Sequence, residues 1–260
     1  MTAEFSAPSS LPSGAAAPGP VVAIMQPYFL PYIGYFQLIA ACDLFVVYDN
    51  IKYTKKGWIN RNRMLRNGGD AMFSLPLRGA PDHLDVAERA LADTPDRHRW
   101  LAQLKGAYGH APHYAATLPL LERIAACDED NLFRFLHHAL LATCEHLGIG
   151  TRIVVSSTVP ADHALKSQDR VLAICAALGA RRYVNPIGGT ELYAREDFAA
   201  RGIELNFLRA KPLVYDQGAT GAQGLPGHDG FVPWLSIVDV LMFNPLDTVR
   251  AWVRTHYDLM

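Results

Sequence analysis

The hydrophobic positions of this chain fall into short runs separated by longer stretches of mixed polarity. VVAIM (Val21–Met25) is a compact, β-branched run and predicts a buried strand. A proline-punctuated turn, Gln26–Gly34, follows it, and Tyr35–Cys42 has helical spacing. DLFVVYDN (Asp43–Asn50) predicts a second buried strand that ends on an acid. Strand, turn, helix, strand is the opening of a βαβ unit, which calls for a parallel sheet. Met72–Leu77, Arg152–Thr158, Arg182–Gly189 and Ile203–Leu208 predict further strands. Helical spacing covers Arg97–Tyr108, Tyr114–Ala126, Asp130–Leu147, Asp169–Leu178, Glu191–Ala200, Leu235–Phe243 and Pro245–His256, while His83–Ala92 fits neither period. In Asp130–Leu147 the apolar series Leu132, Leu136, Leu140, Cys144, Leu147 runs up to Gly148, a natural stop, and Ser167 reads as the N-cap of the helix after it. The expected fold is α/β: a mostly parallel sheet flanked by helices, with a Rossmann-like, nucleotidylyltransferase-like start and an embedded helical segment over 93–150.

Residues 1–20 are rich in Ala, Pro, Ser and Gly and lack the basic and apolar regions of a signal peptide, so they read as a disordered tail ahead of a single domain, 21–260. Gly218–Gly230 holds five glycines and one proline and reads as a mobile surface loop. Hydrophobic residues make up 50% of the 260, enough for a substantial core, and no apolar run is long enough for a membrane span. The net charge of −1 supplies no global basic field and argues against a dedicated nucleic-acid binder. The four cysteines have no CxxC spacing, which fits neither a disulfide framework nor a zinc site and suits a cytoplasmic location.

Three places concentrate chemistry. At the exit of the first strand, Gln26 and Tyr28 sit where parallel sheets bind ligands. The turn matches neither GxGxxG nor a P-loop. It loosely resembles the strand–turn–helix of nucleotidylyltransferases, but Tyr32 and Tyr35 stand where their HxGH histidines would be, which counts against adenylyl transfer. Next, Asp49 ends the second strand as a candidate general base or cation ligand. After it, Ile51–Gly69 carries six cations and no acid: Lys52, Lys55, Lys56, Arg61, Arg63 and Arg66. With Trp58 as a stacking face and the amides of Asn60 and Asn62, this patch suits a phosphate or carboxylate; the plainer reading is a solvated hairpin whose charges discourage edge pairing. Third, Ser167, Gln168 and Arg170 open a helix, and NPIGG leads from Asn185 to Glu191. Cys144 and Cys175 are candidate nucleophiles, though each falls on an apolar helical face. No histidine pair has metal-ligand spacing, so no metal site is expected. Asp239 lies in an apolar helix and needs a buried partner, expected to be a cation of the basic stretch.

Four motifs in order, MQPYFLPYIGYFQLI, DLFVVYDNIKYTKKGWINRNRML, QDRVLAICAALGARRYVNPIGGTELY and LSIVDVLMFN, resemble the WbqC-like protein family from about Val22 to Asn244. The tail and the Gly-rich segment look like additions, and Asn50 stands where the family usually has a second acid. The resemblance implies a role in surface-polysaccharide (O-antigen or capsule) or related small-molecule biosynthesis, with modification of an amino sugar or similar amine.

The leading expectation is a transferase that moves an acyl or aminoacyl group from a thioester, CoA or a phosphopantetheine on an acyl carrier protein, to an amine. Asp49, Lys56, Asn60 and Gln26 would serve the chemistry. Tyr28, Trp58, Arg61, Arg63, Gln168, Arg170, Asn185, Glu191 and Asp239 would bind substrate. Two alternatives stand beside it: a nucleotide-dependent enzyme using ATP or a nucleotide sugar, and a non-catalytic subunit of a biosynthetic complex.

Overall fold

The computed structural model describes residues 19–93, 98–218 and 230–260. Most of the predicted tail and all but the ends of Gly218–Gly230 lie outside the described residues. β1 (Val21–Met25) leads to α1 (Ile33–Ala40) and β2 (Leu44–Val47). A hairpin follows, β3 (Arg61–Arg66) against β4 (Gly69–Ser74). Then come α2 (Arg99–Tyr108), α3 (Tyr114–Ala125) and α4 (Leu132–Leu147), which occupy the expected helical segment. β5 (Arg152–Val155), α5 (Ser167–Ala177), β6 (Arg182–Pro186), α6 (Arg195–Ala199) and β7 (Glu204–Ala210) restore the alternation, and α7 (Ile237–Phe243), α8 (Leu246–Thr255) and β8 (Tyr257–Leu259) close the chain.

The main sheet has the order β5-β2-β1-β6-β7-β8, parallel except for β8, so it is a mostly parallel α/β sheet as the runs predict. The chain builds outward from β1 through β2 to β5, then crosses back to lay β6 on the other side of β1. Alternation along the strands fills both faces: Ala23, Phe45 and Val47 join the cluster that includes α1, α4 and α8, whereas Val22, Ile24 and Val46 join Val171, Ile174 and Phe198 of α5 and α6.

Several boundaries differ from the sequence expectation. Ser167 is the first residue of α5 rather than its cap, and Lys166 holds the cap position without a side-chain bond. Met72–Leu77 is late: β4 ends at Ser74, because it must register with Arg61–Arg66, a strand hidden inside the polar basic stretch. The strands expected to run to Thr158 and Gly189 stop at Val155 and Pro186 and turn into short 3-10 helices. β8 has no run of its own; three residues pair with Leu208–Ala210 because that edge is open. No described helix is long and apolar enough to cross a membrane.

Candidate functional site

The order of the sheet reverses between β1 and β6, and open α/β sheets bind ligands outside the carboxyl ends of strands at that point. A cleft of about 540 Å³ lies there. Its lining comes from the turn after β1 (Tyr28, Pro31, Tyr32), the loop before the hairpin (Trp58), β3 (Asn62, Arg63), the 3-10 turn after β6 (Ile187), the end of β7 (Arg209) and the segment before α7 (Trp234).

Main-chain hydrogen bonds lace these segments together. Phe29 N–H donates to Trp58 O at 3.1 Å, Ser236 N–H to Arg63 O at 3.0 Å and Ile237 N–H to Pro31 O at 2.8 Å. Asn62, nearly buried, donates its amide to Phe29 O at 3.1 Å. Ser236 caps α7 by accepting from Val238 N–H and donates its hydroxyl to Leu30 O at 2.6 Å. The lacing holds two residues in the left-handed region that β-carbon-bearing side chains avoid, Leu30 at φ 43° and Trp234 at φ 59°. Gly34 serves the site in a different way: a Cβ there would stand 2.4 Å from the Tyr32 ring, so the glycine leaves that ring its place in the wall.

The cleft pairs two cations with aromatic walls. Arg63 Nη2 donates to Trp234 O at 3.0 Å, and its Nη1 lies 3.3 Å from Asp70. Arg209 is exposed, and among the described residues no ion pair engages it. Among the described residues no acid lines the cleft, so its field favours an anion. Burial raises the Tyr28 phenol above its ordinary 10.0, with Tyr32 adding to it, and burial alone raises Tyr32, so both hydroxyls stay neutral near pH 7.

A second polar cluster forms at the carboxyl ends of β2 and β5. Asp49 is buried and accepts from Ser156 Oγ at 2.9 Å and Ser157 N–H at 3.0 Å. Burial opposes its charge, but the hydrogen bonds from Ser157 and Ser156 outweigh it and hold the carboxyl below its ordinary value. Arg170 donates to Asn50 O at 3.0 Å and to the Asn50 side chain, and stacks over Tyr48 at 5.0 Å.

Of the residues singled out from the sequence, Tyr28, Trp58, Asn62 and Arg63 meet in the cleft. Asp49 and Arg170 meet at the second cluster through Asn50 and Ser156. The others lie elsewhere or are engaged locally. Arg61 donates to Gly57 O and Lys56 O. Asn60 is held between Tyr53 Oη and Leu75 O. Gln168 bridges Asp197 and Ala194 N–H. The Gln26 carbonyl accepts from Tyr35 Oη, and Asn185 lies against Gly189. Lys56 and Glu191 are exposed. Cys144 and Cys175 are in the core, where burial pushes both thiols up to about 12.

Among the described residues Asp239 takes no cation, contrary to the expectation from the sequence. It is fully buried and accepts from Tyr215 Oη at 2.6 Å, Tyr108 Oη at 2.9 Å and Gln217 Nε2 at 2.9 Å. Arg61 and Arg63 of the basic stretch find carbonyls and Lys55 a surface acid instead. Burial raises the carboxyl above its ordinary value despite these three donors.

Sequence reasoning missed Tyr32, Arg209 and Trp234 as cleft residues. Arg209 had a usable signal, a cation at the carboxyl end of a predicted strand; Trp234 had none, because it is brought there from a loop by Arg63. Among the described residues, no group of three or more His, Cys, Asp or Glu has the arrangement of a metal site.

Compared with known proteins, the sequence profile of the WbqC-like protein family matches residues 26–251. A protein of Mycobacterium tuberculosis, called the uncharacterized protein Rv1507c, is 32% identical over 228 residues, which is 86% of this chain and 93% of that one. No solved structure matches the chain.

Proposed function

This chain belongs to the WbqC-like protein family, and we propose that it is a small-molecule transferase that binds an anionic, activated donor in the cleft at the β1/β6 switch point. The observation that carries this reading is the convergence of Arg63 and Arg209 with Trp58, Trp234 and Tyr28 in one cleft that no acid lines among the described residues. Guanidinium groups bind phosphate or carboxylate, and the indoles offer faces to a ring or a pantetheine arm. The donor we assign is an acyl or aminoacyl thioester, of CoA or of a phosphopantetheine on an acyl carrier protein, in the cytoplasm. The acceptor is an amine such as an amino sugar of surface-polysaccharide biosynthesis.

In the reaction the amine nitrogen attacks the thioester carbonyl, the C–N bond forms and the C–S bond breaks. The thiol leaves with one proton, and the ammonium's other surplus proton passes to solvent. Asn62 and the neutral phenols of Tyr28 and Tyr32 are the polar side chains available to the oxyanion. Asp49 is the one base candidate of the sequence reading that is buried at a strand end. Its lowered carboxyl makes it a weak base, better suited to holding Ser156 and Ser157.

A nucleotide donor is the second reading, favoured by the position of the cleft at the reversal of strand order. A thermal-shift comparison of CoA, acetyl-CoA, ATP with Mg²⁺ and a UDP-amino sugar separates the two. Stabilisation by CoA or its thioester, lost in Arg209→Ala, supports acyl transfer; ligand at a hundred times Kd adds about 2.7 kcal/mol. A shift with ATP·Mg²⁺ alone overturns the thioester donor in favour of the nucleotide, and no shift with any of the four overturns both.

A further inference from the structure

Beside the cleft lies a second, smaller cavity of about 180 Å³. The two spaces share Tyr32, Pro212 and Trp234 as a common wall, with the Tyr32 and Trp234 rings edge to face at 6.1 Å. The far side is made by Ile33, Leu213, Phe231 and Val240. Among the described residues no charged side chain lines it, and the hydroxyl of its lining residue Tyr215 is committed to Asp239 at 2.6 Å. The wall is held in place by design of the chain around it: Trp234 keeps a left-handed backbone, and Arg63 holds its carbonyl. Gln217 pairs with Val232 in both directions, at 3.0 and 2.8 Å, tying the two loops that flank the cavity. Strain in a residue other than glycine persists only where the surroundings over-determine it, and such residues cluster at ligand sites.

We propose that this cavity is a chain-length-selecting pocket, which receives the straight aliphatic end of a substrate whose anionic end lies between Arg63 and Arg209. The inference deepens the thioester reading above and rests on it for the identity of the donor. A cation-lined space next to an uncharged one fits a molecule with the complementary division, an acyl chain beyond an anionic head. At roughly 30 Å³ for each water-sized group, the cavity holds about six carbons. Acyl chains up to that length gain apolar burial with every carbon, and longer ones meet Val240 and Leu213. Leu213 is therefore a specificity-determining residue and Trp234 the partition.

The test uses straight-chain carboxylates from propionate to decanoate, and the matching acyl-CoAs, titrated calorimetrically into the full-length protein. Affinity is expected to rise about fourfold per carbon to about six carbons and then stop rising. Leu213 is half-buried and outside any helix or strand, so its replacement leaves the core intact. Leu213→Trp is expected to collapse the ratio of hexanoate to propionate affinity to near one, and Leu213→Ala to move the break two or three carbons longer. A flat wild-type series, or an unchanged break in both variants, overturns the pocket. A carboxylate series with the break but no binding of any CoA species leaves the pocket standing and removes the thioester donor. CoA binding that ignores the acyl chain does the reverse.

Discussion

Arg63 Nη2 lies 3.0 Å from the carbonyl oxygen of Trp234, a residue 171 positions further along the chain, and the partner it holds has φ of 59°. The same guanidinium faces the cleft, so one side chain both fixes the partition and supplies positive charge. Arg63→Ala should remove both effects. The lost charge-assisted bonds should cost about 1–3 kcal/mol in urea unfolding, and binding of an anionic ligand should weaken at least tenfold. Arg63→Lys should restore the charge but not the fork, recovering less than half of the lost binding energy. Equal binding by wild type and Arg63→Ala would remove the cleft from the anion site.

Two buried carboxyls should act on stability in opposite directions with pH. Asp49 is held below its ordinary 3.8, so its contribution is present above that value and is lost as pH falls through its native value. Asp239 is raised above 3.8 by burial, so the folded state keeps a proton that the unfolded state has released. That group favours the fold at low pH, and the advantage is lost as pH rises from 3.8 through its native value. Unfolding free energies measured from pH 3 to 8 should show a steeper loss toward alkali in wild type than in Asp239→Asn. Asp49→Asn should instead flatten the acid limb. Parallel curves for wild type and Asp239→Asn would place its native carboxyl at its unfolded value.

Removing the Asp239 side chain altogether should be more severe. Tyr108, Tyr215 and Gln217 would each lose an acceptor in the interior, and Asp239→Ala should cost roughly 3 kcal/mol or more in thermal or urea unfolding.

The thiols of Cys42, Cys144 and Cys175 are buried and pushed up to about 12. They should resist iodoacetamide at pH 8 in the native protein and react once it is unfolded, read by mass spectrometry. Rapid native modification of Cys144 or Cys175 with loss of transfer would instead indicate covalent catalysis.

Gly34→Ala should displace the Tyr32 ring, because its Cβ would lie 2.4 Å from that ring. The helix itself should tolerate alanine better than glycine. The expected result is a protein close to wild type in stability, with at least a tenfold loss of ligand affinity in titration. Unaltered affinity would show that Tyr32 is not needed in the wall.

What the sequence determined by itself is what short-range patterning can encode. Five-residue β-branched runs such as VVAIM specify buried parallel strands, since both faces of the strand must be covered, and α4 is announced by its apolar spacing and the glycine that ends it. The density of cations beside Trp58 marked a candidate site, yet the extent of strand β3 was hidden, because RNRMLR alternates too weakly to be separated from a loop. Only the tertiary structure decided which of these groups act together. Arg63 joins Trp234, Ser236 joins Leu30 and Tyr108 joins Asp239 across 171, 206 and 131 residues, and no local period encodes such pairs. Arg61 and Asn60 have the same chemistry as Arg63 and Asn62 two residues on, but only the latter two line the cleft. Asp239 found phenols and an amide rather than a cation because its neighbours in the fold are Tyr108, at the end of α2, and Tyr215 and Gln217, in the segment after β7, which already supply donors.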